Sequence, residues 1–243
     1  MLIRDRGDTV DLSLAIALAA ITGYVDAIGF VHLFGVFPAN QSGNVVLFGI
    51  ALGSDHANDA WRPALAMAGF DVGVLLAYRA GRRLPARHRR WTLLTLETVA
   101  LAALALAAGN VMHARAPIGG AKEVFALAVA SVAMGLQTVA LGRVSGVSVS
   151  TTYQTGAIVR LSESAADAVP GSESAVDARR ALAVLAIVIA WYAGGAALGA
   201  LVARHWGGAL WMAVLAAAVC SVFDAALGPR RRPASGRGRG ANR

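Results

Sequence analysis

Charge is the scarcest resource in this chain. Only 15% of its 243 residues are charged, where soluble domains usually carry about 25%, and that shortage argues against a water-solvated globule. Cysteine is nearly absent too. Cys220 stands alone inside an apolar block, which excludes a disulfide framework and leaves no thiol metal cluster. The five histidines, His32, His56, His88, His113 and His205, are scattered and show no HExxH spacing. No phosphate-binding glycine loop or nucleophile constellation appears either. No enzyme is expected, and no cofactor or metal. The N-terminal block is not expected to be a secretory signal, because it is longer than a usual signal core and more apolar chain follows it.

What is present is hydrophobicity in long blocks. The chain is 57% hydrophobic with mean hydropathy +0.59. Six blocks are long enough to cross a bilayer: Leu12–Phe34, Pro63–Ala80, Trp91–Gly109, Lys122–Leu141, Ala181–Ala203 and Gly208–Leu227. At 1.5 Å per helical residue they cover about 27 to 35 Å, against a hydrocarbon core of about 30 Å. Trp61, Trp91, Trp206 and Trp211 fall at or near block edges, where indole favours the headgroup zone. The expected fold is an all-α integral membrane bundle.

Two more apolar stretches, Gly43–Gly53 and about Val147–Val159, are too short to cross comfortably. Basic residues decide how to count them. With six spans and the N-terminus inside, 17 arginines lie inside, six of them between Arg79 and Arg90 and six in the tail after Pro229. Only Arg62, Arg115, Lys122 and Arg204 lie outside, with Arg143 unassigned. Counting eight spans would put the arginine-rich loop outside, so six spans satisfy the positive-inside rule better. The same placement explains the net charge of +8 by contact with lipid headgroups rather than nucleic acid.

The chain then divides into a cytoplasmic N-terminus 1–11, a three-span unit 12–110, an external loop 111–121, a second three-span unit 122–227 and a basic tail 228–243. The linker 162–180 repeats SESAADA as SESAVDA and reads as slack acidic chain. The tail reads as disordered, lying against the cytoplasmic leaflet of a bacterial inner membrane.

A weak internal repeat links the halves. Gln41-Ser42-Gly43 and Gln154-Thr155-Gly156 each open a short apolar stretch just after a full span. Phe70-Asp71-Val72-Gly73 and Trp191-Tyr192-Ala193-Gly194 are a fainter echo. An odd number of spans per half makes the second half enter from the opposite side, a 3+3 inverted repeat of the kind common in secondary transporters. The short stretches would be broken or re-entrant segments, tolerated at membrane depth only where protein or a wet cavity satisfies the backbone; ordinary interfacial connections are the alternative. Substrate-contact candidates are Asn40, Gln41, Ser42, Gly43 and Asn44, with Ser42 as the expected helix cap, and Thr151, Thr152, Gln154, Thr155 and Gly156 in the second half.

Carboxylates inside spans are expensive to bury. Asp26, flanked by Gly23 and Gly29, and Asp71, between Gly69 and Gly73, are the coupling candidates for a proton or cation. Tyr24, Glu97, Gln137 and Arg143 could extend a polar path, although Glu97 and Asp224 are expected near enough to the surface to hydrate. The run from Gly23 to Phe30 with Ser42-Gly43-Asn44, and the second-half run Thr151 to Gly156 with Arg160, resemble the signatures of the YoaK-like family of uncharacterised bacterial polytopic membrane proteins. That resemblance implies an integral inner-membrane protein and names no substrate. A small-solute or ion carrier or channel is expected, with a non-transporting scaffold or sensor as the alternative. Lipids, an unknown solute and a second copy of the chain are the partners.

Overall fold

The structure is a computed structural model that describes residues 6–114, 118–144, 146–152, 154–168 and 175–228. The segment before Arg6 and the basic tail from Pro229 onward, expected to be cytoplasmic, lie outside these residues, as do Arg115 and Tyr153.

Six helices are long and apolar enough to cross a membrane, and they fall on the six expected blocks. Helix α1 covers Arg6–Ile28 and runs on through a π turn, Gly29–Leu33. The short α2 covers Gln41–Leu52, followed by α3, Trp61–Arg83, and α4, Ala86–Ala114. In the second half α5 covers Gly120–Ala140, and a small antiparallel hairpin pairs β1, Arg143–Val144, with β2, Val147–Ser148. Then come α6, Gln154–Asp167, α7, Ala175–His205, and α8, Ala209–Leu227. Apolar side chains such as Leu75, Leu106, Leu215 and Val222 point outward, as a lipid solvent allows. The protein is a multi-pass membrane protein.

The second short stretch, Val147–Val159, is divided: β2 and irregular chain occupy its first half, and α6 begins at Gln154. One expectation needs correction, because the acidic linker is not slack over its described ends. Its Ala- and Glu-containing sequence favours helix, so 162–167 complete α6 and 175–180 open α7, where Arg180 reaches Asp177 one turn earlier at 3.1 Å.

The spans pack in the order α7, α1, α8, α4, α5, α3, with α6 against α7 and α2 against α3. Replacing each helix of one half by its counterpart in the other (α1 with α5, α3 with α7, α4 with α8) reads this order backwards. The closest crossings match at residue level. A methyl on Gly23 would strike the Tyr192 carbonyl and the Ala196 amide of α7; one on Gly135 would strike the Phe70 carbonyl and the Val74 amide of α3. Likewise Gly195 abuts the Ala20 carbonyl and Gly73 the Val132 carbonyl. Small residues that let backbones touch are the usual means of packing helices in lipid, where no hydrophobic effect drives them together. The register pairs Phe70 with Tyr192, one residue away from the echo read in the sequence.

An arginine between two carboxylates ties each end of the bundle. At one end Arg90 of α4 bridges Asp11 of α1 and Asp224 of α8, the latter at 2.5 Å. At the other, Arg62 of α3 bridges Glu123 of α5 and Asp59, each at 2.6 Å. Asp224 is therefore paired and buried rather than hydrated.

Candidate functional site

The chain leaves α1 through the π turn, and at Gly35 it takes a left-handed conformation, φ 70°, which glycine adopts without steric cost. It then folds back along α1. The Pro38 ring packs where a side chain on Gly29 would stand, and Phe37 stacks on Phe30 with centroids 4.5 Å apart. The buried backbone amide of Ala39 needs a partner, and Asp26 supplies it. Its Oδ1 accepts from the Ala39 amide at 2.7 Å, and its Oδ2 from the Tyr192 hydroxyl of α7 at 2.7 Å.

The start of α2 is a closed polar knot. Asn40, rather than Ser42, is the cap: its Oδ1 accepts from the Gly43 amide at 3.2 Å, and Ser42 merely donates to the same oxygen. The fully buried Asn44 clamps the returning strand, accepting from the Phe37 amide at 2.9 Å and donating to the Phe37 carbonyl at 2.6 Å and to Gln41 Oε1 at 2.9 Å. Gln41 in turn donates to the Pro38 carbonyl at 3.0 Å.

The second half repeats the logic with different side chains. Gln154, at the start of α6, donates to the Thr151 carbonyl at 3.2 Å, the counterpart of Gln41 to Pro38. Thr138 shares a 2.6 Å hydrogen bond with Thr152 at the positions corresponding to Asp26 and Ala39. Gln137 knits the halves together, its amide reaching the Leu18 carbonyl at 3.0 Å, Thr22 Oγ1 at 2.6 Å and Thr151 Oγ1 at 3.0 Å. Its own Oε1 is buried without a partner. Thr22, Gln137, Thr138, Thr151 and Thr152 thus form a polar layer between α1, α5 and the segment before α6, with the Asp26–Tyr192 pair one turn further along α1.

The remaining candidates are dispersed. Ser42 and Thr155 are exposed beside Gly43 and Gly156. Asp71 is exposed on the outer face of α3, apart from the polar layer, because Gly69 and Gly73 on the opposite face make the contact with α5. Tyr24 donates to the Ala209 carbonyl at 2.8 Å, pinning α1 to the first turn of α8. Arg143 is exposed on β1. Glu97 is fully buried, with both carboxyl oxygens lacking partners, so it is not hydrated as expected. Thr22 and Thr138 escaped sequence reading, and Tyr192 stood only in the faint echo of Phe70–Gly73. Only Thr22 carried a signal, standing one helical turn before Asp26 on the same face. No group of three His, Cys, Asp or Glu side chains that could hold a metal occurs among the described residues.

Residues 14–223 match the family described as "Protein of unknown function (DUF1275)". The chain is 31% identical over 150 residues to the UPF0700 transmembrane protein YoaK of Bacillus subtilis (strain 168). That alignment covers 60% of this chain and 63% of the relative. The YoaK-like resemblance of the motifs is borne out. No solved structure matches.

Proposed function

The chain belongs to the DUF1275 family, and we propose that it is a small secondary carrier or channel for a polar solute or ion, built as two three-span halves of opposite orientation. The single observation that supports this most is the paired hydrogen bonding at the two short helices. Gln41 donates back to Pro38 and Gln154 to Thr151, three residues earlier in each case, the first turn bonded to Asp26 through Ala39 and the second to Gln137. Matching helix crossings at Gly23 and Gly135 support a two-fold relation between the halves, and three spans per half then imply inverted entry.

In this reading the segment 34–40 and α2 form a re-entrant unit in the first half, and 141–153 with α6 in the second. The positive-inside rule places the Arg90 end, with the arginine-rich turn, in the cytoplasm of a bacterial cell and both termini with it. The solute would meet the α2 and α6 caps and the Gln137 layer. Asp26 acts as the hinge pin of the first cap and is the first coupling candidate. Asp71 stands apart, and because a carboxylate facing lipid in mid-span is costly, its position favours a homo-oligomer that covers it.

The test is flux. Purified protein in sealed liposomes should carry a small polar solute in a saturable manner, and Gln41→Leu combined with Gln154→Leu should reduce that flux strongly while leaving the protein folded. One observation favours a scaffold or sensor instead: both Asp26 oxygens are already occupied by protein donors. Absence of any flux, together with loss of function on deleting Pro229–Arg243, would support that second reading.

A further inference from the structure

Along most of its length the contact between α4 and α8 is apolar, as membrane helix contacts usually are. One stretch is not. At the end of the bundle Arg90 bridges Asp11 and Asp224. One turn deeper, Thr95 Oγ1 and Ser221 Oγ share a 2.7 Å hydrogen bond, and both hydroxyls also reach the Trp91 carbonyl, at 2.8 and 3.3 Å. Deeper again lies Glu97, fully buried, with neither carboxyl oxygen partnered. Seven residues of helix separate Arg90 from Glu97, a rise of about 10 Å. Polar groups therefore extend inward from the bundle end as far as Thr95 and Ser221, and two positions further along α4 stands an unpaired acid.

We infer that Glu97 is a proton-binding site, reached from the Arg90 end through the polar seam between α4 and α8. This deepens the carrier reading and rests on it, naming the coupling ion and the residue that takes it. A buried group with only acceptor oxygens and no donor nearby is satisfied by a cation. Metal cations need several oxygen ligands at once, whereas the hydroxyls of Thr95 and Ser221 are already engaged with each other and with Trp91. A proton needs one oxygen. In the binding step a hydronium at the seam transfers its proton to the Glu97 carboxylate and leaves one water, so charge and atoms balance.

The surroundings fit a proton held in isolation. On α8 the groups toward Glu97 are the Cys220 thiol, which lies within its electrostatic reach, and Asp224, held by Arg90. On α5 the titratable residues, Lys122 and Glu123, stand at the opposite end. On α3, Asp71 faces outward. The π turn contributes His32, whose ring nitrogen lies 3.4 Å from the Ala200 carbonyl. On α4 itself the nearest charges are Arg90 and Arg89, the latter donating to the Gly81 carbonyl at 2.5 Å. No cation among these described groups bonds to Glu97.

Dicyclohexylcarbodiimide tests this on the unmodified protein in liposomes. An apolar carbodiimide adds a protonated carboxyl across its C=N bond, the acid proton going to nitrogen, and the acyl group then migrates from oxygen to nitrogen. The stable acylurea keeps every atom of both reactants, so peptide mass mapping locates it. Glu97 should be modified, and Asp26, with both oxygens bonded, should not. The rate at Glu97 should fall as pH rises, by up to about tenfold per pH unit once the carboxyl ionises. Thr95→Val with Ser221→Ala should slow the response of that rate to a pH jump at least several-fold, without removing the labelling. No modification at Glu97, or a rate independent of pH, would overturn the inference. Because labelling requires no transported solute, its failure would leave the carrier reading standing, and absent flux with intact pH-dependent labelling would overturn only the carrier reading.

Discussion

The Tyr192 hydroxyl donates to Asp26 Oδ2 at 2.7 Å across 166 positions of sequence, joining α7 to the carboxylate that also holds the returning segment at Ala39. One side chain thus fixes a helix contact and a loop. Removing the tyrosine hydroxyl leaves a buried acceptor short of a partner, which costs about 1 to 3 kcal/mol. Tyr192→Phe should lower thermal stability in detergent modestly and Asp26→Ala more, because the latter also strands the Ala39 amide. Thermal melts of both single variants and the double variant provide the check. The two effects should be strongly non-additive, and additive losses would mean that the residues act separately.

Gly23 and Gly135 occupy matching crossings, each with a neighbouring helix carbonyl where a methyl would go. Gly23→Ala and Gly135→Ala should therefore destabilise to a similar degree, by about 2 kcal/mol or more, since the helices must move apart. Gly49, with open space around it, is the control, and Gly49→Ala should melt like the parent.

The two arginine bridges should differ in strength. Arg90 is 19% exposed and lies between Asp224 at 5% and Asp11 at 22%, whereas Arg62 is 30% exposed and lies between Glu123 at 6% and Asp59 at 52%. Breaking a buried pair by removing one partner costs about 3 to 5 kcal/mol, and exposed pairs cost about 1 or less. Arg90→Gln should thus be the more damaging change in a melt and the less sensitive to added salt.

The sequence made the six spans legible, because a run of apolar residues about 20 long has few other uses. The short α2 was also legible, since Gly and Asn precede an apolar run too brief to cross. Its cap was not: Asn40 and Ser42 are both good cap residues, and only the fold-back that bonds Asn44 to Phe37 decides between them. The hairpin 143–148 and the start of α6 were hidden because Val147–Val159 mixes apolar with hydroxyl residues, and composition does not reveal a chain reversal. Asp71 misled for a related reason. Its flanking glycines signal a close contact, but they lie on the opposite side of α3 from the carboxylate, a distinction that requires knowing which face meets α5. Tyr192 stood only in the faint echo of Phe70–Gly73 and gave no sign of its partner, since Asp26 lies in the other half of the chain.

Opposed entry of the two halves is tested most directly by single cysteines in a Cys220→Ala background, labelled in intact cells with a membrane-impermeant maleimide. Asp55→Cys, in the turn between α2 and α3, should react from outside, and Asp167→Cys, at the end of α6, only after the membrane is opened. Reaction of both positions from the same side would contradict the inverted arrangement.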